Sequence, residues 1–182
     1  MDRRNEKTSR LIMNTFMDLL KEKGFEKITV SDISERADIN RGTVYLHYKD
    51  KYDILEQCIG SYVNELITHC SEDAPLKLQD DALLNIFRYL ENNITLYRLL
   101  YRNDKSGVFR AKLSSVIYDR TRQVIGRFPE EYTLSKEVTT EFLVNGFLGV
   151  IEWWLANDLP CSPEDITKQL MSFLDPYLKN LK

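Results

Sequence analysis

Thr29-Val30-Ser31-Asp32-Ile33-Ser34-Glu35-Arg36-Ala37-Asp38-Ile39-Asn40-Arg41-Gly42-Thr43-Val44-Tyr45-Leu46-His47-Tyr48 reads as two short helices joined by a tight turn. Thr29 and Asp32 stand at capping-box spacing: the threonine oxygen accepts the third amide of the helix, and the aspartate suits its positive end. Val30, Ile33 and Ala37 fall on the side to be buried. After the turn Asp38-Ile39-Asn40, Asn40 caps a second helix ending near Tyr48. Small Ala37 and apolar Ile39 at the junction complete a helix-turn-helix, whose second helix is expected to enter the major groove of DNA.

The helical wheel assigns roles within that second helix. With Val44 and Tyr48 inward, a step of about 100° per residue turns Gly42, Thr43 and Leu46 outward and leaves Tyr45 and His47 on the flanks. An outward glycine and leucine suit a face that meets bases: Gly42 permits close approach, Thr43 donates or accepts, and Leu46 packs on a thymine methyl. Arg41 is placed to reach guanine O6 and N7, or alternatively a phosphate. Tyr45, His47, Lys49 and Lys51 lie where the sugar-phosphate walls pass, and Lys51 opens the next helix, whose amides form a natural phosphate seat; Thr29 offers the same one helix earlier. Packing without DNA contact is the other reading of Tyr45 and His47. The basic tail with Arg3, Arg4, Lys7 and Arg10 is either a solvated end or a DNA-contacting arm.

The stretch Ile39 to Lys51, preceded by Thr29-Val30-Ser31-Asp32-Ile33 and followed by Ile54-Leu55, resembles the DNA-binding domain of the TetR family of transcriptional regulators. The resemblance covers about the first 55 residues. It implies an all-helical homodimer that blocks transcription from a palindromic operator until a small molecule releases it. It also implies phosphate contacts from Tyr45, His47 and Lys51 and base contacts from Arg41, Gly42 and Thr43. Phe87-Arg88-Tyr89-Leu90-Glu91-Asn92-Asn93, Tyr97 to Leu100, and Gly146 to Trp154 look like a divergent C-terminal domain of the same family.

Outward from the helix-turn-helix the pattern stays helical. Ile12, Phe16, Leu19 and Leu20 share one face of a helix from about Asn5 to Lys23, stopped by Gly24. Asp50 and Asp53 repeat the capping spacing and open a long helix with the stripe Leu55, Cys58, Tyr62, Leu66 and His69. Pro75 separates it from Leu83, Phe87, Leu90, Ile94 and Tyr97, a run that Asn92-Asn93 interrupts. After a loop at 103–107 comes a helix marked by Phe109, Leu113, Val116, Ile117, Val124 and Phe128 and ended by Pro129. Two more follow, from about Leu134 to Asn157 and from Pro163 to about Tyr177, the second with a serine cap and proline at its first position. The expected fold is all-α, about nine helices, with a DNA-binding domain at 1–54 and a ligand-sensing and dimerisation domain at 55–182.

Bulk properties agree. Seven glycines and five prolines among 182 residues favour helices over a turn-rich sheet protein. The net charge of -3 speaks against nucleic acid until it is divided: residues 1–55 hold eleven Lys or Arg against ten Asp or Glu, residues 56–182 fourteen against eighteen. Only a local surface has to be positive. The polar start, and the lack of any run near the roughly 20 apolar residues a bilayer requires, point to a soluble cytoplasmic protein without membrane contact. Cys58, Cys70 and Cys161 are too few and too scattered for a disulfide framework or a zinc site, and read as buried free thiols or, alternatively, a redox sensor.

The helix from Val138 to Leu155 is apolar on more than one face, with Phe142, Gly146, Gly149 and Trp153 on one and Leu143, Phe147, Val150 and Trp154 on another. Such a helix is covered twice, and a twin subunit is the expected second cover, with Ile166, Leu170 and Phe173 of the last helix joining the interface. A pocket for an effector of unknown identity is expected among Tyr62, Leu66, His69, Phe87, Tyr97, Tyr101, Phe109 and Tyr118. No cofactor and no metal are expected, since His47 and His69 are the only histidines. An enzyme is disfavoured by the lack of a glycine-rich phosphate loop, a GxSxG elbow or an HExxH pair. A helical adaptor that binds only protein is the alternative to a DNA-binding regulator.

Overall fold

Helix boundaries in this chain are set by local chemistry. The computed structural model describes residues 3–71, 80–126 and 135–178, and within them the chain forms nine α-helices and one short 3₁₀ turn, with no strand. Helix α1 (Arg3–Lys23) buries the expected stripe of Ile12, Phe16, Leu19 and Leu20. Gly24 ends it at φ 74°, a left-handed value that costs glycine nothing. The 3₁₀ turn Phe25–Lys27 then tucks Phe25 into the core. Three residues are too few for hydrophobic periodicity to reveal.

Helix α2 (Val30–Arg36) opens with the full capping box. The Thr29 hydroxyl accepts the Asp32 amide at 3.2 Å and the Asp32 carboxylate accepts the Thr29 amide at 2.7 Å. In the following turn Asp38 takes φ 51°, and Ile39 N–H closes on the Ser34 carbonyl at 3.0 Å. Helix α3 (Arg41–His47) starts on Asn40, whose side-chain oxygen accepts the Gly42 amide at 2.8 Å. Tyr48, just past its end, is buried, and its hydroxyl meets Ser9 Oγ at 2.6 Å, which ties the end of α3 back to α1.

Helix α4 (Lys51–Ser71) is capped from both sides, as the aspartate spacing suggests. Asp50 Oδ1 accepts the amides of Tyr52 and Asp53, and Asp53 Oδ2 accepts that of Lys49. Leu55, Cys58 and Leu66 of its expected stripe are buried, and Tyr62 is half-buried. The 54/55 boundary falls inside this helix, and the apolar core runs without a break from Ile12 on α1 through Ile54 and Cys58 to Leu170 near the C-terminus.

Helices α5 (Asp80–Asn92) and α6 (Ile94–Asn103) are separated at Asn93, whose side-chain amide donates to the Tyr89 carbonyl at 2.9 Å. Asp104 caps helix α7 (Val108–Ile125) by accepting the amides of Val108 and Phe109 at 3.0 and 2.7 Å. Helix α8 (Lys136–Ala156) starts on Ser135 and helix α9 (Pro163–Leu178) on Ser162. Helix α7 packs on α4 and α8, α5 on α4 and α9, and α6 on α8. At the centre Phe87 of α5 meets Trp154 of α8 edge to face, with ring centroids 5.1 Å apart. The expected break at Pro75, the end of α7 at Phe128-Pro129 and the start of α8 at Leu134 lie outside the described residues.

The left-handed Asp38 is the costliest backbone position of the helix-turn-helix, since a side chain there crowds the following carbonyl. Replacing Asp38 by glycine is expected to raise the unfolding free energy by about 0.5–1 kcal/mol, the strain relieved being partly offset by a looser unfolded chain. A β-branched Asp38→Val is expected to lower it. Urea denaturation of the three proteins checks the order.

Candidate nucleic-acid interface

The scaffold under α3 is apolar and closed. Ile33 and Ala37 of the α2 end, and Val44 and Tyr48 of the α3 end, are all buried. This fixes which way α3 faces. Arg41, Gly42, Tyr45 and Leu46 are exposed, and Thr43 and His47 are half-buried at the edges of that face. Thr43 is therefore less outward than the wheel put it. A side chain at 42 would bring its Cβ within 3.3 Å of the Asn40 oxygen that caps α3, so glycine serves both the cap and the bare outer surface.

Three of the expected phosphate-contacting residues differ in what they do. Lys49 is exposed just beyond α3. The Thr29 hydroxyl is engaged twice, donating to Asp32 Oδ2 at 2.7 Å and accepting the Asp32 amide. Lys51 is placed otherwise than its position at a helix start suggests. Its ammonium donates to the carbonyls of Phe25 and Glu26 at 3.1 and 3.2 Å and lies 4.7 Å from the centroid of the Phe25 ring. It thus binds the carbonyl end of the 3₁₀ turn. Phe25 in turn meets Tyr52 edge to face at 5.0 Å.

Ion pairs hold the surrounding helices. Lys23 of α1 pairs with Asp32 of α2 at 2.7 Å, and Arg36 of α2 forks onto Glu22 of α1. The hydrogen bonds from Lys23 and then from Thr29 hold the Asp32 carboxyl below its ordinary 3.8, at about 2. Glu26 of the 3₁₀ turn pairs with Lys105 in the α6–α7 loop at 2.5 Å. That contact and the Lys51 anchor join residues far apart in sequence, and no local pattern announces them.

On α8 the two faces separate cleanly. Leu143, Val144, Leu148, Ile151, Trp154 and Leu155 are buried, whereas Phe142 is 67% exposed and Trp153 49%. Val138, at 66%, extends the exposed stripe by one turn. Gly146 and Gly149 lie on it, and a Cβ added at either meets nothing within 4 Å. The expected α9 contribution needs correction. Ile166 and Leu170 are buried within the subunit at 3% and 7%, because α9 turns them onto α5, and Arg88 of α5 pairs with Glu164 at the α9 start at 2.7 Å. Phe173, next along the same stripe, is 71% exposed.

Of the residues expected to line a pocket, Leu66, Phe87, Tyr97 and Phe109 are buried and Tyr62, Tyr101 and Tyr118 half-buried. The rings pack on one another, Tyr97 against Phe109 and Phe109 against Tyr101, and the Tyr97 hydroxyl donates to the Tyr62 carbonyl at 2.9 Å. Trp154, absent from the sequence-based set, closes the cluster against Phe87. The His69 side chain lies outside the described residues. Cys58 is fully buried in the neighbouring core, and burial pushes its thiol up to about 12, which leaves it protonated at neutral pH. Among the described residues no group of three or more His, Cys, Asp or Glu is placed to hold a metal ion, and no helix is long and apolar enough to cross a membrane.

An all-helical chain with a capped helix-turn-helix at its N-terminus and a larger helical unit behind it belongs to the class of helix-turn-helix regulators. Comparison with known families narrows the class. Residues 12–58 match the profile of bacterial regulatory proteins of the tetR family, and residues 77–176 that of a transcriptional regulator C-terminal region. The chain belongs to the TetR family. It is 26% identical over 188 residues to the uncharacterized HTH-type transcriptional regulator YxbF of Bacillus subtilis (strain 168), covering 96% of this chain and 46% of that one. To the probable acrEF/envCD operon repressor of Escherichia coli (strain K12) it is 22% identical over 193 residues, covering 95% and 86%. Among solved structures, a TetR transcriptional regulator from Streptococcus agalactiae 2603V superposes with a TM-score of 0.67 at 26% identity, covering 95% and 96%. The chain thus spans about half the length of YxbF and most of that of the repressor.

Two stability effects follow from this geometry. Lys51→Met removes the donor of two carbonyls and a cation from a ring face, and is expected to cost about 1–3 kcal/mol in urea denaturation with the helical content retained. Because the Asp32 carboxyl is depressed on folding, its contribution is fully present above about pH 4 and is lost as the pH falls through about 2. Asp32→Asn is therefore expected to be less stable at pH 6 and to lose less stability between pH 4 and pH 2, as followed by circular dichroism.

Proposed function

We propose that the protein binds a palindromic operator as a homodimer, represses transcription there, and is released when a small molecule occupies the helical C-terminal unit. The observation that carries the reading is the exposed face of α3: Arg41, Gly42, Tyr45 and Leu46 stand outward on a helix whose inner side is locked by Ile33, Val44 and Tyr48. In this reading Arg41, Gly42, Thr43 and Leu46 meet base edges, and Tyr45, His47 and Lys49 meet phosphates. Thr29 and Lys51 act from behind. The threonine orders the start of α2, and the lysine fastens α4 to the turn after α1. The relative named as an operon repressor supports the sign of regulation.

The dimer follows from α8. A stripe of Val138, Phe142, Gly146, Gly149 and Trp153 left open in one subunit is the surface on which a second copy fits, and the two glycines leave room for its backbone. Two recognition helices then face half-sites about 34–36 Å apart, or a multiple of that spacing. An effector seated among the rings of α4–α7 would displace α4, and the Lys51 anchor would carry the helix-turn-helix with it. Only a ligand that prefers the DNA-incompetent state shifts the balance.

Selection from a random duplex pool is expected to return an inverted repeat. Tyr45→Ala is expected to weaken binding to it at least tenfold without loss of helical content, and Trp153→Glu to turn the sedimenting dimer into a monomer. Failure of the wild type to retain any duplex would refute the reading and favour a protein-binding adaptor. Deletion in the source cell is expected to raise transcription next to the repeat; a fall would make the protein an activator.

A further inference from the structure

Leu46 is 86% exposed, the most exposed of the large apolar side chains described. A lone surface leucine carries little meaning. Its surroundings give this one more. Gly42 lies one turn earlier on the same side of α3, bare of any side chain, and Tyr45, 57% exposed, stands beside it. Arg41 is exposed at the start of α3 and Lys49 just past its end, so the apolar ledge sits between two cations suited to a phosphate-lined groove.

We infer that Leu46 is a specificity-determining residue that reads a pyrimidine 5-methyl group, that of thymine, in each operator half-site. The inference rests on the DNA-binding reading above. In the major groove thymine alone among the four bases carries a methyl group, beside its one acceptor; cytosine presents only a C5–H there, and the purine edges are dominated by hydrogen-bonding groups. An isobutyl group pressed on a polar edge strips it of water and returns no hydrogen bond; pressed on a methyl it buries apolar surface on both sides. The side chain therefore favours thymine by attraction and disfavours the other bases by desolvation. In a two-fold complex the contact occurs twice.

Deoxyuridine tests this directly, because it removes the methyl and leaves all Watson–Crick and acceptor groups in place. In the selected duplex, each thymine is replaced in turn by deoxyuridine in both half-sites, and affinity is measured with the full-length wild type and with Leu46→Ala. One symmetric pair of positions is expected to weaken wild-type binding about fourfold per half-site, roughly fifteenfold for the pair, as befits the burial of one methyl each. The same replacement is expected to leave Leu46→Ala binding unchanged. The alanine variant keeps its fold, since the side chain touches little of its own subunit, and circular dichroism verifies it. No sensitive position, or a sensitivity that persists undiminished in Leu46→Ala, would overturn the inference while the DNA-binding reading stands. The absence of any retained duplex would overturn both.

Discussion

The Lys51 ammonium is the contact that fixes where α4 begins relative to α1. It rests on the carbonyls of Phe25 and Glu26 and on the face of the Phe25 ring, and so fastens the first turn of α4 to the turn that closes α1. The further turns of the same helix bury Ile54, Cys58, Ile59, Val63 and Leu66. One rigid element thereby belongs to two units at once. A helix pinned at one end and packed along its length transmits a rotation better than a linker does, because no joint along it absorbs the motion. The Glu26–Lys105 pair ties the same 3₁₀ turn to the α6–α7 loop, whose Asp104 holds the amide of Phe109 in the aromatic cluster. The helix-turn-helix is thus connected to the aromatic interior by two routes, one covalent and one electrostatic. The second, lying between exposed groups, weakens as salt rises.

The second governing constraint is α8. Its apolar residues divide between two faces, Leu143, Val144, Leu148 and Trp154 inward and Val138, Phe142 and Trp153 outward. The inner face makes the subunit core with α6 and α7, and the outer face is left open in this subunit. Under the dimer proposed above, folding would rest on the one face and association on the other.

Legibility from sequence followed the range of the interactions. Capping boxes, the glycine stop at 24, the break at Asn92-Asn93 and the outward Gly42 and Leu46 of α3 are local and readable because neighbours in sequence decide them; Thr43 and Tyr45 trade places relative to the ideal wheel. Periodicity also named the apolar stripe of α9, but a stripe states only that a face is buried, not against what. Ile166 and Leu170 suit a subunit interface by pattern, yet both are already buried within the subunit, where α9 packs on α5. The Lys51 anchor joins residues about 25 apart, and no local pattern announces it; the start of a helix suggests only a phosphate seat. Of the aromatic residues expected around a pocket, Tyr97, Tyr101 and Phe109 pack ring on ring and Phe87 packs on Trp154, a long-range partner that composition does not announce.

The two tryptophans are consecutive in sequence and opposite in circumstance. Trp154 is wholly enclosed, its indole N–H donating to the Cys161 carbonyl at 3.0 Å and its ring against Phe87, while Trp153 lies half in water on the outer stripe of α8. A single helical step therefore places one fluorophore in the interior and the other at the surface. With no other tryptophan in the chain, emission excited where tyrosine does not absorb comes from two indoles only, one enclosed in the core and one on α8 whose access to a quencher depends on whether that face is covered. Changes confined to the first report on the aromatic interior, and changes confined to the second report on what lies across α8.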